Sequence, residues 1–485
     1  MVLMAALTAS LSRADALSDD VTAKRARLVA KLGRDTLFIA HSAPSRVYSL
    51  DVNYEYHQDS NLYYLTGIAQ EETILVLMPG NTTRREILFM RDRDASREHW
   101  DGTLLSPEEA TARSGVTTVL RASQFDDFIA AMLTGRRFGP IDEGEARAFF
   151  TALANGNARV SLLLSPGRVS DPMTPEQTFA RTLRDRYAGF QVTDATPHLV
   201  AMRLVKTPYE QTLLVRAAEI SAAAQIAGML AAHPAAYEYE VKAAIEAASR
   251  SRGAISWAYP SIVGSGPNTT ILHYPDSRRQ MQSGDLLLTD AACNYDYMTS
   301  DITRTYPVNG HFTVAQKAIY DIVLAAQDEA FKAATAGSSL QQIHDKASNV
   351  IRNGLFALGL ITDPKSDQYR MWFTHGTSHY IGLDVHDVGA NTVKLEPGMA
   401  FTIEPGLYIR QSALDTLPRT PENLALIEKI QPAVTKYAGI GIRIEDSILL
   451  DTTGPRRLSA AVPRTIPEIE ALMQQRTVPS TTAPR

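Results

Sequence analysis

Asp290 and Asp301 stand eleven positions apart in TDAACNYDYMTSDITRTYPV (289–308), a stretch otherwise rich in aromatic and β-branched strand formers. Taken alone, such a pair reads as a hairpin with solvated acids. Three further features change that reading. Glu404 closes the apolar run of FTIEPG, just before a Pro-Gly turn. Glu445 lies in GIGIRIED, where alternation puts Ile442 and Ile444 on one face and Arg443 and Glu445 on the other. His379 lies in HGTSHYIGLDVHDVG, which carries three histidines within twelve residues. Four carboxylates and an imidazole suit a hard or borderline divalent ion, with the single histidine tilting the choice toward Mn, Co, Fe or Zn. Four acids brought together repel unless cations neutralise them, and two ions match that charge better than one.

Other motifs point elsewhere. His375 and His379 are four apart, but Gly376 between them and Gly382 after them argue against a helical HExxH zinc site. GSG at 264–266 lacks the flanks of a nucleophile elbow and the lysine of a phosphate loop, and reads as a turn. Cys293, the only cysteine, reads as a small packed hydrophobe.

The elements that must carry these residues are partly legible. LFIA (37–40) and TILVLM (73–78) read as buried strands, with helical patterning over 18–32 and 106–113. This makes the first ~200 residues an α/β domain. Thr207-Pro208-Tyr209-Glu210 is a capping box that opens an Ala-rich helix to about residue 232, and the domain boundary falls just before it. A helix from Thr313 carries Ile319, Ile322, Val323 and Ala326 on one face, with Gly337 as its cap. Strands follow at 399–404 and 442–450, and a capping box at Thr465 and Glu468 precedes a short terminal helix. The implied division is a 1–16 extension, a 17–200 domain, a 201–475 domain and a disordered 476–485 tail.

Composition bounds the remaining classes. The 485 residues are 45% hydrophobic and 21% charged, with a net charge of −5, so there is no electrostatic footprint for nucleic acid. No uninterrupted apolar run approaches a membrane span, so no membrane partner is expected. A single cysteine fits a reducing cytoplasm. MVLMAALTASLS followed by Ala14-Asp15-Ala16 has signal-like features, and export is the alternative, although no Lys or Arg precedes the apolar run.

DAACNYDYMTSDITRTYPVNGHFT, HGTSHYIGLDVHDVG, EPGMAFTIEPGLYI and GIGIRIEDSILL resemble, in order, the metal-site motifs of the Xaa-Pro aminopeptidases, a family of pita-bread metallopeptidases. ILHY (271–274), DSNLYYLTG (59–67) and REHWDG (97–102) are similar to further motifs of that family, so the likeness spans nearly the whole chain after residue 17. The resemblance implies a small α/β N-terminal domain and an α/β catalytic domain with a curved, pseudo-twofold, mostly antiparallel sheet. It also implies two divalent ions, Mn²⁺ first, with Co²⁺ or Zn²⁺ as alternatives. Asp301 and Glu445 would bridge them, Asp290 would complete one, and His379 with Glu404 the other.

A metal-bridging hydroxide would be the nucleophile and Glu404 its proton shuttle. His386 would stabilise the oxyanion and His273 contact the scissile peptide. His375 and Trp100 would wall the proline pocket, with Trp100 reaching in from a neighbouring subunit of a homodimer or homotetramer. Arg443 would orient the carboxylates from behind. The expected substrates are peptides with proline in second position. A prolidase acting on Xaa-Pro dipeptides is the alternative, and a metal-free creatinase-like hydrolase or binding protein a more distant one. Ala292 departs from the family, which has glycine there, and altered geometry or strain is expected at that position.

Overall fold

The computed structural model describes residues 2–165 and 167–476; apart from Arg476, the expected 476–485 tail lies outside the described residues. The chain divides into two compact units between Met202 and Arg203. The first begins with a helix, Val2–Val29, that starts well before the helical pattern expected over 18–32. No Gly or Pro interrupts those 28 residues, so nothing breaks the helix earlier.

The sheet of this unit has six strands: β1 (Thr36–His41), β2 (Ile74–Leu77), β3 (Glu86–Met90), β4 (Thr118–Arg121), β5 (Ala158–Leu162) and β6 (Phe190–Asp194). They lie in the order β4-β3-β2-β1-β5-β6. β2 runs antiparallel to both neighbours, and the other pairings are parallel. Its two central strands are mostly apolar because both faces are covered. One core gathers Leu37, Ile39, Val76, Phe89, Phe128 and Phe149.

The second unit opens on the helix Pro208–Ala231, and its capping box is formed as expected. The Thr207 hydroxyl accepts from Glu210 N at 3.2 Å, and Thr207 N donates to the Glu210 carboxylate at 2.8 Å. Contrary to the run-based expectation, this helix is long and apolar enough to cross a bilayer by length and composition. Isolated polar residues hide that when only uninterrupted runs are counted. Of its most apolar window, 61% is buried inside the protein, as in the core helix of a globular unit.

The strands of the second unit are β7 (Ile262–Ser265), β8 (Leu286–Asp290), β9 (Cys293–Tyr295), β10 (Met298–Thr299), β11 (Thr303–Pro307), β12 (Ala400–Ile403), β13 (Gly406–Tyr408), β14 (Gly441–Arg443), β15 (Asp446–Asp451) and β16 (Gly454–Arg457). They form the groups β7-β8-β11, β12-β15-β16 and β13-β14, with β9 lying between β10 and a further short strand at Ser256–Trp257, and every one of these pairings is antiparallel. The strand expected over 442–450 is interrupted at Ile444 and Glu445. The reason is tertiary: Glu445 N donates to Thr303 O at 3.0 Å, outside the regular ladder. Gly264 and Ser265 extend β7 and only Gly266, at φ +53°, begins the turn, so two of the three GSG residues are strand. Gly337 lies past the true helix end at Ala333.

Ala292 does not carry the expected strain, because its φ lies outside the left-handed region. Between Asp290 and Asp301 the strained positions are Asp296 (φ +47°) and Tyr297 (φ +68°), the two-residue turn joining β9 and β10. That geometry is the type I′ turn, which favours Asn-Gly. Cys293 packs as expected against Ala217, Ile220 and Ala254, and burial pushes its thiol up to about 11.

Candidate metal centre and active site

All four carboxylates sit where strands stop. Asp290 is the last residue of β8, and Asp301 lies two residues before β11. Glu404 falls between β12 and β13, and Glu445 between β14 and β15. The chain leaves its ladder at each point, freeing the side chain to turn into a common cavity of about 350 Å³. That cavity is lined by Asp290, Asp301, Glu404 and Glu445 with His273, His375, His379, His386 and Arg443. Trp100 lies on the N-terminal unit, in the helix Ala95–Asp101, and is 85% exposed.

Donor atoms of Asp301, His379 and Glu445 lie within 4.8 Å of one another. His379 Nε2 is 3.4 Å from Asp301 and 3.3 Å from Glu404, while its Nδ1 faces Tyr380 O at 3.1 Å. With Nδ1–H held by that carbonyl, Nε2 is left free to bind a cation. The electrostatics ask for one. Burial, then the neighbouring carboxylates, push Glu445 well above its ordinary range and Glu404 up to about 7. Burial and Asp301 raise Asp290 as well, despite the opposing pull of Arg443. Burial works against charge on His379, but Asp301 and Glu404 outweigh it and lift the imidazole to about 9. The Tyr259 hydroxyl contacts both Asp290 and Asp301, although its single proton serves only one at a time. The donor set, its burial and this crowding of negative charge fit divalent metal ions.

Behind the carboxylates one cation organises the rest. Arg443 donates to Asp290 through Nη2, to the Thr303 hydroxyl through Nε at 3.0 Å, and to the Tyr408 hydroxyl through Nη1 at 2.9 Å. Thr303 passes its own proton to Glu445 at 2.7 Å. Thr402 accepts from His379 N at 3.1 Å and donates to Glu404 at 3.2 Å. Ser447 Oγ clasps the backbone of Asp301, accepting from its N–H at 2.9 Å and donating to its carbonyl at 2.8 Å. His386 stacks edge-on against His379 at 4.4 Å, and burial with that neighbour's charge lowers its pKa. Asp387 next to it is tied to Arg203 and to Lys206, the latter at 2.7 Å, which fixes the segment carrying His386.

Several of these partners escaped the sequence reading. Tyr259, Thr303, Thr402 and Ser447 belong to common residue types in unremarkable contexts, and no spacing marks them. Tyr408 reads as core and is fully buried, yet its hydroxyl reaches both His375 and Arg443. Asp387 had a signal, as the acid directly following His386 in HDVG.

Residues 212–452 match metallopeptidase family M24, and residues 21–138 match the aminopeptidase P N-terminal domain. The chain belongs to this family of metallopeptidases, whose catalytic unit is the pita-bread fold. The Xaa-Pro aminopeptidase of Escherichia coli (strain K12) is 35% identical over 460 residues, covering 93% of this chain and 96% of that one. Among solved structures, a variant of Escherichia coli aminopeptidase P in complex with substrate aligns with TM-score 0.78 at 33% identity, over 94% of this chain and 98% of that one. A zinc-substituted form of the same enzyme in complex with product has the same TM-score, identity and coverage.

Proposed function

We propose that this metallopeptidase removes the N-terminal residue from peptides whose second residue is proline, using two divalent ions, Mn²⁺ in the first instance. The observation that carries the reading is the convergence of Asp290, Asp301, His379, Glu404 and Glu445 on one buried cavity, in a chain similar to Xaa-Pro aminopeptidases over nearly its whole length. Similarity in the N-terminal domain as well favours an aminopeptidase over a dipeptidase.

In this reading Asp290, Asp301, His379, Glu404 and Glu445 would together hold the two ions. Bound divalent ions supply acidified water and a Lewis acid for the scissile carbonyl. Glu404, its carboxylate held by the Thr402 hydroxyl, takes the proton from the attacking water and returns it to the leaving proline nitrogen. His386 donates to the developing oxyanion, and His273 holds the scissile peptide. His375 presents its ring to the proline, with Trp100 of a neighbouring subunit as the opposite wall; the exposure of Trp100 suits that role. A substrate imide lacks an N–H, so the pocket selects by shape and packing. Arg443 keeps Asp290 and, through Thr303, Glu445 in place.

The assembly in this reading is a homodimer or homotetramer, which light scattering coupled to gel filtration measures directly. The compartment is the cytoplasm, in keeping with a single buried thiol. Sequencing the mature N-terminus tests this, because loss of residues 1–16 would mean export.

The central test is hydrolysis of Xaa-Pro-Xaa peptides against Xaa-Pro dipeptides, after reconstitution with Mn²⁺, Co²⁺ or Zn²⁺, with Asp301→Ala alongside. We expect tripeptide cleavage, highest with Mn²⁺, and near-complete loss in the variant. Cleavage of dipeptides alone would overturn the aminopeptidase assignment. Full activity of the variant would overturn the paired-metal centre.

A further inference from the structure

A second cavity of about 740 Å³ shares His375, Gly376, Ser378 and Asn391 with the metal-centre cavity and leads away from it. One side is the polar face of the helix Leu340–Ala357, including His344, Ser348 and Arg352, whose apolar face (Ile343, Ala347, Ile351) is buried. Tyr369 and Phe373 also line the cavity, the first beneath Arg352 and the second beside His344. At the near end His344 Nδ1 meets the Thr377 hydroxyl at 2.9 Å, beside His375. Arg352 lies eight residues further along the helix, about 12 Å away at about 1.5 Å per residue. An extended peptide covers that distance in three to four residues at about 3.3 Å each.

Arg352 is equipped for a ligand this protein does not itself provide. Its guanidinium lies over the Tyr369 ring, 4.2 Å from the centroid, which fixes its plane. Its Nε is buried without a hydrogen-bond partner among the described residues. Its one ion pair among them is with Asp367 at 3.8 Å, beyond hydrogen-bond reach, and Asp367 sits closer to Arg370, at 3.2 Å. The side chain is 26% exposed, and a planar, stacked guanidinium can take a carboxylate in two parallel bonds through its outer Nη donors. Asp345 also lines the groove, but nearer the His344 end and hydrogen-bonded to Gln341 at 3.0 Å.

We propose that this groove carries the part of the peptide beyond proline, and that Arg352 recognises a carboxylate three to four residues past it, either the peptide's own C-terminus or an acidic side chain. The inference rests on the aminopeptidase reading and adds a preference for length and charge. It makes Arg352 a specificity residue distinct from the groups that hold the metals or move protons.

The test uses the full-length, metal-loaded enzyme and peptides Ala-Pro-(Gly)n with one to five glycines, each as free acid and as C-terminal amide. A third set of amides carries glutamate three or four positions after the proline. Free acids with three or four glycines are expected to exceed their amides about tenfold in kcat/KM, chiefly through KM, and Arg352→Gln is expected to erase that ratio. If the glutamate amides recover the preference, a side-chain carboxylate is read; if they do not, the terminal one is. Equal rates for acid and amide at every length would overturn the proposal, as would an Arg352→Gln loss that falls alike on acids and amides. Calorimetric binding of the same acids and amides reads the groove without turnover. Failure to cleave any of these peptides would count against the aminopeptidase reading, while the binding comparison would still decide the role of Arg352.

Discussion

The Tyr408 hydroxyl lies 2.8 Å from His375 Nε2 and completes a one-way chain of donors. Arg443 Nη1–H donates to the Tyr408 oxygen, Tyr408 O–H donates to His375 Nε2, and His375 Nδ1–H donates to the Gly376 carbonyl at 2.7 Å. Both ring nitrogens are thereby assigned, and the imidazole is held neutral; burial and the Arg443 charge lower its pKa to about 3. In the proposed reading His375 would meet substrate as an uncharged, fixed ring, which suits packing against proline.

Tyr408→Phe removes the middle of this chain while keeping the ring. We expect kcat/KM for Xaa-Pro-Xaa peptides to fall about tenfold and stability to fall by about 1–2 kcal/mol, because buried Arg443 loses an acceptor. Steady-state kinetics and urea unfolding measure both. A variant indistinguishable from the parent would mean that the chain does not position His375.

Arg304 and Asp446 form a fully buried pair at 2.7 Å that anchors the strand break carrying Glu445. Asp446→Ala removes the carboxylate from Arg304 and also from Arg457, 3.2 Å away, and is expected to cost about 3–5 kcal/mol. Replacing both partners, Arg304→Met with Asp446→Leu, should cost less than the two single changes together, although the carbonyls that Arg304 serves and Arg457 still lose a partner. Denaturant titration of the two singles and the double tests this, and strict additivity would refute it.

Metal removal should give the protein a stability that declines as pH rises. Without cations Glu404 titrates near 7, above its unfolded value of about 4.3, so its contribution to stability is lost as pH rises through that window. His379, lifted to about 9, contributes fully below about 6.5 and loses that contribution as pH rises toward 9. Thermal melts of chelated protein should therefore fall between pH 5 and 9, and added Mn²⁺ should flatten the profile. A slope unaffected by metal would separate these groups from the cation site.

The N-terminal unit should show the opposite acid-side behaviour. His41 packs against the rings of Phe125 and Phe179, and burial pushes its pKa down to about 4. It is folded in its neutral form, so its contribution is full above about 6.5 and lost as pH falls through that value toward 4. His41→Phe should reduce the loss of stability between pH 6.5 and 4 in urea titrations at several pH values. An unchanged pH dependence would mean that His41 is not the group responsible.

The sequence by itself determined the chemical inventory and much of the frame. Thr207-Pro208 with Glu210 specifies a helix start through interactions spanning three residues, and LFIA and TILVLM specify buried strands by composition alone. Asp290, Asp301, His379, Glu404 and Glu445 stand out because charge inside apolar segments has few uses other than chemistry. Tertiary structure decided where that charge points. The break at Ile444–Glu445 exists because Glu445 N finds Thr303 O and because Arg304, far away in sequence, holds Asp446. Local alternation predicted an unbroken strand there, since periodicity records which face a residue prefers and carries no information about a partner some 140 residues distant. For the same reason Tyr259, Thr303 and the Tyr408 hydroxyl were invisible: their roles consist of hydrogen bonds to groups that only folding brings within 3 Å. Strain in this stretch followed the same logic, falling on Asp296 and Tyr297, where a two-residue turn demands positive φ, and sparing Ala292, whose φ lies outside the left-handed region.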